Sequence, residues 1–220
     1  MTNTIILKSL VGSRAHGLNT EDSDYDYRGV HVCPTKEILS LFHKYSPTAW
    51  IEGDIDETSY EIGHFLELCT KANPSVLEVL VSEDVKIDTP YAKEMRTLLP
   101  FMYDPKDAFN AFAGYSKNQQ KKLLENHLGR RNKFAVAYVR TSYNLVDLFE
   151  TGAFSLRVLD EERKAILGKL KEGKYSDGQI IDMAERNIAT AKRLLPDVKN
   201  HQNIGAINEF LAGVRKDFWG

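Results

Sequence analysis

Residue types that suit phosphate chemistry stand close together near the start of the chain. Gly12 and Ser13 form a pair, and Asp24 and Asp26 follow in the segment SDYDYRGV. Two carboxylates only two residues apart repel each other unless solvent or a cation neutralises them. Because carboxylate oxygens are the ligands that hard divalent cations prefer, the pair predicts a site for Mg²⁺, with Mn²⁺ as the alternative ion.

The Gly-Ser pair complements such a cation site. Gly12 can present its backbone N–H group without a side chain in the way, and Ser13 adds a hydroxyl. Together with Asp24 and Asp26, the pair suggests a triphosphate that is held at one end by the backbone and bound at the other through a metal. Arg28 lies beside the acids, so it is either a structural ion-pair partner or a contact to phosphate.

Two familiar phosphate and cation motifs do not fit this stretch. A P-loop needs Lys followed by Ser or Thr directly after its second glycine, but Leu18 and Asn19 follow Gly17. An EF-hand needs glycine at its sixth position and a bidentate glutamate at its twelfth, where the chain has Tyr27 and Cys33. Neither class is supported.

The elements that position these residues are predicted from periodicity and turn residues. Residues 3–11 and 27–33 are short, β-branched and aromatic-rich, which is typical of strands. Residues 54–60 are a third candidate strand, and residues 36–45 and 62–71 have helical spacing. Asp24 and Asp26 therefore lie at the start of a strand, where residues two apart share one face.

The character of the chain changes at Pro105. Residues 1–104 carry 9 Lys/Arg and 17 Asp/Glu, a net of −8, whereas residues 105–174 carry 14 and 8, a net of +6. Residues 106–127 and 132–150 read as amphipathic helices, and Ser176 with Gln179 forms a capping box before another helix. The sequence thus predicts an α/β (α+β) domain over 1–104 and a helical domain over 105–220.

Composition excludes several other classes. Cys33 and Cys69 are the only cysteines, too few for a disulfide framework and in no zinc spacing. The first residues lack the features of a signal peptide, and no apolar run approaches ~18 residues. A reduced, cytoplasmic protein that does not enter a membrane is therefore expected, while its oligomeric state is not predicted.

The motifs together resemble the nucleotidyltransferase superfamily related to DNA polymerase β. The segments that carry the resemblance are GSRAHGL, SDYDYRGV, TSYEIGHFLELCTKANPSVLEVL and KFAVAYVRTSYNLVDLFETG, in that order. They are similar to the stand-alone predicted nucleotidyltransferases of bacteria and phages, some of which are associated with RNA-repair ligases. The resemblance covers roughly residues 5–175 and implies a mixed-sheet nucleotidyltransferase core with a C-terminal helical domain.

The resemblance implies a role for each matching residue. It assigns Gly12 and Ser13 to the phosphates of a nucleoside triphosphate and the two aspartates, Asp24 and Asp26, to the metals. A third carboxylate is expected from a later strand, and Asp56 fits best among the candidates Asp54, Asp56, Glu57 and Glu61.

The resemblance also extends to the helical half. Lys133 and Arg140 match a basic pair there, either as phosphate contacts or as a solvated face, although Ala137 stands where a histidine is expected. Seven residues apart, the two basic residues should share one helix face.

The implied reaction is transfer of a nucleotidyl group to a hydroxyl acceptor, with release of pyrophosphate. The acceptor can be an RNA 3′ end, a small molecule or a protein side chain, since no separate RNA-binding module is visible. The alternative is a catalytically silent nucleotide- or RNA-binding protein, or an interaction protein, on the same fold. Retention of both acids and of the Gly-Ser pair favours an enzyme.

Overall fold

A computed structural model of the protein describes residues 3–41, 48–52 and 55–219, with the backbone alone for 48–52, 55, 56 and 127. The strands in this part of the chain are β1 (Thr4–Val11), β2 (Tyr25–Val32), β3 (Thr48–Glu52), β4 (Ile55–Glu61) and β5 (Val85–Asp88). The α-helices in it are α1 (Gly12–Ala15), α2 (Thr35–Ile38), α3 (Ile62–Thr70), α4 (Pro74–Val81), α5 (Pro90–Thr97), α6 (Pro105–Leu124), α7 (Arg131–Thr151), α8 (Glu161–Lys171), α9 (Asp177–Leu194) and α10 (Ile204–Asp217).

The strands form one mixed sheet in the order β3-β4-β2-β1-β5. β2 and β4 run parallel, whereas the other neighbouring pairs are antiparallel. Strand β1 lies inside the sheet and is largely buried, which explains its nearly continuous apolar sequence, TIILKSLV. The mixed sheet with helices around it confirms the expected fold class.

Most predicted elements occur where the periodicity indicates them. The strands expected over 3–11, 27–33 and 54–60 correspond to β1, β2 and β4. The helix expected over 36–45 is limited to the four residues of α2 among the described residues, and residues 42–47 lie outside the description. Strand β3 was not predicted, because a five-residue strand carries little periodic signal.

The chain divides into two compact units, and the division differs from the predicted boundary after residue 104. The sheet unit comprises the described parts of 1–71, 75–103 and 201–220, so helix α10 belongs with the sheet. Arg215 of α10 forms an ion pair with Glu61 at 2.6 Å, and Thr35 donates a hydrogen bond to the Arg215 carbonyl at 2.6 Å. These long-range contacts return the last helix to the first unit, which residue composition does not indicate.

The other unit, residues 72–74 and 104–200, is helical and packs around α7. Helix α7 contacts α6, α8 and α9, and it ends at Gly152 in the left-handed conformation that a C-terminal stop requires. The predicted capping box of Ser176 and Gln179 is present at the start of α9. None of the helices in the described part of the chain combines the length and apolarity needed to cross a membrane.

Candidate active site

The turn that follows β1 brings Gly12 against Asp26. Val11 pairs with Asp26 at the end of the β1–β2 ladder, and Gly12 comes next with a φ of +69°. A Cβ atom at position 12 would lie 2.1 Å from Oδ2 of Asp26 and 2.9 Å from its Cγ. Only glycine can adopt this backbone conformation and also leave room for the Asp26 carboxylate, so the turn and the carboxylate pack directly against each other.

The two aspartates of the motif lie at the entrance of β2. Asp24 is exposed and immediately precedes the strand, whereas Asp26 is its second residue and is partly buried. Ser13, partly buried in α1, follows the Gly12 turn, and its carbonyl accepts a hydrogen bond from the Leu18 N–H at 3.0 Å. The sequence therefore folds the Gly-Ser pair and the acids to the same end of the β1–β2 pair, as the spacing predicts.

Strand β4 brings the preferred third carboxylate to the same place in the sheet. In the parallel β2–β4 ladder, Asp26 is the register partner of Asp56. Residues paired in register occupy the same face of a sheet, so Asp56 holds the position next to Asp26. The side chain of Asp56 and the whole of Asp54 lie outside the described residues, and the role of Asp56 stays a prediction.

The other two carboxylates that the sequence offers have structural partners. Glu57 is paired with the ammonium group of Lys8, and as the neighbour of Asp56 in β4 it points to the opposite face of the sheet. Glu61 is 1% exposed, accepts a hydrogen bond from the Gly63 N–H at 2.7 Å at the start of α3, and pairs with Arg215. Both side chains are thus engaged away from Asp26.

Arg28 lies two residues beyond Asp26 in β2 and is half-buried. Its guanidinium donates a hydrogen bond to the hydroxyl of Tyr60 at 3.2 Å, and it forms no ion pair among the described side chains. Residues two apart in a strand share a face, so the positive charge stands on the same side of the sheet as Asp26. Both predicted roles of Arg28, a structural ion pair and a contact to phosphate, stay predictions.

A row of contacts on the opposite face of the sheet was missed by the sequence reasoning. The Arg14 guanidinium lies 4.0 Å from the ring centroid of Tyr25, which stacks on Tyr27 at 6.5 Å with a 10° angle between the rings. The Lys8 ammonium lies 5.2 Å from the Tyr27 centroid and pairs with Glu57. The alternation of tyrosines with the two aspartates is the sequence signal that could have located this row.

His31 is a buried titratable group in the same strand. Its Nδ1 is 2.7 Å from the Ser59 hydroxyl, and the residue is 3% exposed. Burial lowers the pKa of His31 below its usual value, and the nearby Glu61 carboxylate partly opposes that effect. The neutral imidazole is therefore the form that the folded protein favours near neutral pH.

The basic pair of the helical unit does not share one environment. Lys133 and Arg140 both lie on α7, but Lys133 is exposed whereas Arg140 is 6% exposed. Arg140 lines a pocket of about 190 Å³ within the helical unit, together with residues of α7, α8 and the segment between them, such as Tyr143, Asn144, Asp147, Arg157 and Arg163. The difference follows from packing, because Arg140 lines this pocket with residues of α8 such as Arg163 and Leu167, whereas Lys133 does not line it.

The donor set fits a hard divalent cation. Asp24 and Asp26 provide only oxygen ligands, and the missing Cβ of Gly12 leaves the space in which the Asp26 carboxylate stands. A group of three candidate ligands does not occur among the described side chains, which do not include Asp54 and Asp56. The site thus offers two carboxylates and a register position for a third.

A protein-family comparison matches this chain over most of its length. Residues 2–164 match the family described as "RNA repair pathway DNA polymerase beta family". The matched range contains Gly12, Ser13, both aspartates of β2 and Asp56, and it also includes the basic pair on α7.

The individual proteins that match this chain share less than a third of their aligned residues with it. The uncharacterized protein MJ0002 of Methanocaldococcus jannaschii is 25% identical over 186 residues, which cover 80% of this chain and 75% of the relative. The uncharacterized protein YcgL of Bacillus subtilis is 28% identical over 126 residues, covering 56% of this chain and 48% of that protein, about half its length. A crystal structure of a nucleotidyltransferase-like protein from Exiguobacterium sibiricum aligns with 98% of this chain and 74% of its own, at 11% identity and a TM-score of 0.29.

Proposed function

We propose a nucleotidyl transfer reaction for this chain, which belongs to the RNA repair pathway DNA polymerase beta family. The chain would move a nucleoside monophosphate from a nucleoside triphosphate to a hydroxyl acceptor and release pyrophosphate. The observation that carries the proposal is the contact between the Gly12 turn and Asp26, since a Cβ at position 12 would stand 2.1 Å from Oδ2. This packing supports the proposal, because it brings the turn that would bind phosphate against an acid that would bind metal.

Each residue has a part in the proposed reaction. The N–H groups that begin at Gly12 and the hydroxyl of Ser13 would bind the phosphates, because this turn carries no bulky side chain. Arg28 would place its positive charge beside the phosphates from the same face of the sheet. Asp24, Asp26 and Asp56 would hold Mg²⁺ or Mn²⁺, which when bound neutralises phosphoryl charge and lowers the pKa of the attacking hydroxyl.

In the proposed reaction, one bond forms and one bond breaks at the α-phosphorus. The acceptor oxygen forms a bond to the α-phosphorus while the bond from that phosphorus to the β-phosphate oxygen breaks, so pyrophosphate leaves with the electron pair. The hydroxyl proton passes to a carboxylate, for which Asp56 is the candidate because of its register position beside Asp26. The rest of the catalytic effect is positioning and charge stabilisation by the turn, Arg28 and the acids.

An RNA 3′ end is the acceptor that we propose to test first. The description of the matched family names RNA repair, and nucleotidyl transfer to a terminal hydroxyl is chemistry that such a pathway can use. Small hydroxylated molecules and protein side chains are the other two acceptor classes. Lys133, exposed on α7 of a unit rich in lysine and arginine, is a candidate contact to acceptor or nucleotide phosphates.

The reaction is tested with labelled nucleotides. The purified chain is incubated with Mg²⁺ and each of the four α-labelled NTPs, in separate reactions with RNA ending in a 3′-hydroxyl, the same RNA with a 3′-phosphate, or a protein and metabolite mixture. Transfer of the α-label but not of a γ-label identifies nucleotidyl rather than phosphoryl transfer. The Asp26→Asn variant is the matched control, because it removes one charge at nearly constant volume.

The acceptor classes and the silent alternative give different results. Label on the 3′-hydroxyl RNA alone supports an RNA acceptor, and label on a protein or small molecule moves the proposal to that class. Nucleotide binding without transfer to any acceptor would contradict the enzyme proposal and favour a binding protein on the same fold.

A further inference from the structure

Arg14 ties the helix after the Gly12 turn to the loop that carries the first aspartate. Its Nε donates a hydrogen bond to the Ser23 carbonyl at 2.9 Å, and an Nη donates one to the Glu21 carbonyl at 3.2 Å. Ser23 immediately precedes Asp24 in the sequence. The main chain is therefore fixed by a planar, two-pronged donor one residue before the proposed metal ligand.

The same guanidinium also covers the residue between the two aspartates. It lies 4.0 Å from the Tyr25 ring centroid, a distance at which a cation is attracted to an aromatic face. Tyr25 also stacks on Tyr27, so its ring contacts both Arg14 and that second ring. Because neighbouring residues in a strand point to opposite faces, fixing Tyr25 on one face orients Asp26 on the other.

Among the described residues, the other hydrogen bonds of residues 20–23 lie within the loop. Its own contacts are local, with the Thr20 N–H donating to the Ser23 hydroxyl at 2.8 Å and the Ser23 N–H donating to the Thr20 carbonyl at 3.2 Å. Asp22 and Asp24 are both exposed at its end. Mutual repulsion of the acids favours a spread of loop conformations in the absence of a cation, and the Arg14 contacts oppose that spread.

We infer that Arg14 is a positioning residue that preorganises Asp24 and Asp26 for a divalent cation. The inference rests on the proposed function, and it adds a residue outside the Gly-Ser pair and the carboxylates. The Arg14 guanidinium contacts two carbonyls and one ring of the segment that carries the aspartates. Through these contacts Arg14 acts on the site by fixing the loop and Tyr25.

The test measures cation affinity directly, without nucleotide and without turnover. Mn²⁺ is titrated into the wild-type chain, Arg14→Ala and Arg14→Lys, and free Mn²⁺ is followed by electron paramagnetic resonance. Losing the two hydrogen bonds and the ring contact should weaken Mn²⁺ binding about tenfold in Arg14→Ala. Lysine keeps a cation for the ring but loses the fork, so Arg14→Lys should fall between the two.

A matched control separates positioning from a general loss of stability. Thr89 caps α5 in the same unit, and its hydroxyl accepts the Ala92 N–H at 3.4 Å. Thr89→Ala should lower the unfolding temperature and leave Mn²⁺ affinity unchanged. Hydrogen exchange gives a second readout, since the amides of residues 21–26 should exchange faster in Arg14→Ala than in the wild type or in Thr89→Ala.

The outcomes distinguish this inference from the proposed function. Wild-type Mn²⁺ binding with unchanged affinity in Arg14→Ala overturns the positioning role and leaves the proposed function standing. A loss that Thr89→Ala shares, or weaker NTP binding with unchanged Mn²⁺ binding, also overturns it. If the wild type itself fails to bind Mn²⁺, the metal assignment of the proposed function fails as well. If Arg14→Ala does not fold, the comparison of Arg14→Lys with the wild type decides.

Discussion

Gly12 packs directly against the side chain of Asp26, so closely that a Cβ atom on residue 12 would lie 2.1 Å from the Asp26 Oδ2. The two residues lie at the end of the β1–β2 ladder, where Val11 and Asp26 are the last register pair. A turn proposed to bind phosphate and a carboxylate proposed to bind metal are thus fixed relative to each other by direct packing. A substitution at either residue should therefore alter the conformation of the other.

We expect Gly12→Ala to reduce both stability and transfer. The positive φ alone costs alanine about 1 kcal/mol, and the clash with Asp26 adds roughly 1–3 kcal/mol of overpacking. Gly152→Ala is the matched control, since Gly152 also has a positive φ of 78° but has nothing within 4 Å of its added Cβ. Urea unfolding should show the larger loss for Gly12→Ala.

A double-mutant cycle isolates the clash. In an Asp26→Ala background the Oδ2 and Cγ atoms are removed and only the Cβ atom, at 3.2 Å, stays close to the new methyl group. Gly12→Ala should then cost little more than the roughly 1 kcal/mol of backbone strain. Equal costs of Gly12→Ala in the two backgrounds would show that the carboxylate and the turn are not in contact.

Asp24→Asn and Asp26→Asn should each lower the transfer rate by at least about a hundredfold while the protein stays folded. The amide keeps the shape of the carboxylate but loses the negative charge that a divalent cation requires. Rates of α-label transfer, together with circular dichroism and unfolding temperature, provide the measurement. Wild-type activity in either variant would remove that residue from the metal site.

Asp56→Asn should match those losses, whereas Asp54→Asn and Glu57→Gln should have mild effects on transfer. Asp56 is in register with Asp26, and Glu57 is paired with Lys8 on the other face of the sheet. Glu57→Gln should instead reduce stability, because it leaves the half-buried Lys8 ammonium without its partner. The reverse ranking of Asp54 and Asp56 in transfer assays would place the third ligand two residues earlier.

Lys133→Ala and Arg140→Ala should differ in their effects on the free energy of unfolding. Lys133 is exposed, so its truncation should change the unfolding free energy by less than about 0.5 kcal/mol, whereas Arg140 is buried and its removal should cost roughly 1–3 kcal/mol. If Lys133 contacts nucleotide or acceptor phosphates, calorimetry should show about tenfold weaker binding. An RNA ligand should then also show a shallower salt dependence, and unchanged affinity for both ligands would identify Lys133 as a solvated surface residue.

Acidification should destabilise the sheet unit through His31. Burial holds the pKa of His31 below its unfolded value of about 6.5, so the unfolded chain binds the proton more readily. The stability that the neutral His31 contributes is fully present above the unfolded pKa and is lost as the pH falls from there through the lower folded pKa. Unfolding temperatures between pH 8 and pH 5 should therefore fall more steeply for the wild type than for His31→Asn, and parallel curves would contradict the assignment.

Local features of the molecule could be predicted from the sequence because they depend on neighbouring residues. Alternation and β-branched content located β1, β2 and β4, and the Ser176–Gln179 pair marked the start of α9. The Gly-Ser turn and the two aspartates were identified as one candidate site, since their types and spacing limit the chemistry that they can perform. The family to which the chain belongs was likewise indicated by these motifs.

Tertiary structure decided the features that join distant segments. The sequence offered Asp54, Asp56, Glu57 and Glu61 as candidates for the third carboxylate, with Asp56 preferred from the resemblance. The parallel pairing of β4 with β2 sets Asp56 in register with Asp26 and turns Glu57 to the opposite face. Helical spacing placed Lys133 and Arg140 on one face, but tertiary packing buries Arg140 and leaves Lys133 exposed. Helix α10 belongs to the sheet unit, where Arg215 pairs with the buried Glu61. A buried charge needs a partner, and only the folded chain decides which distant residue supplies it.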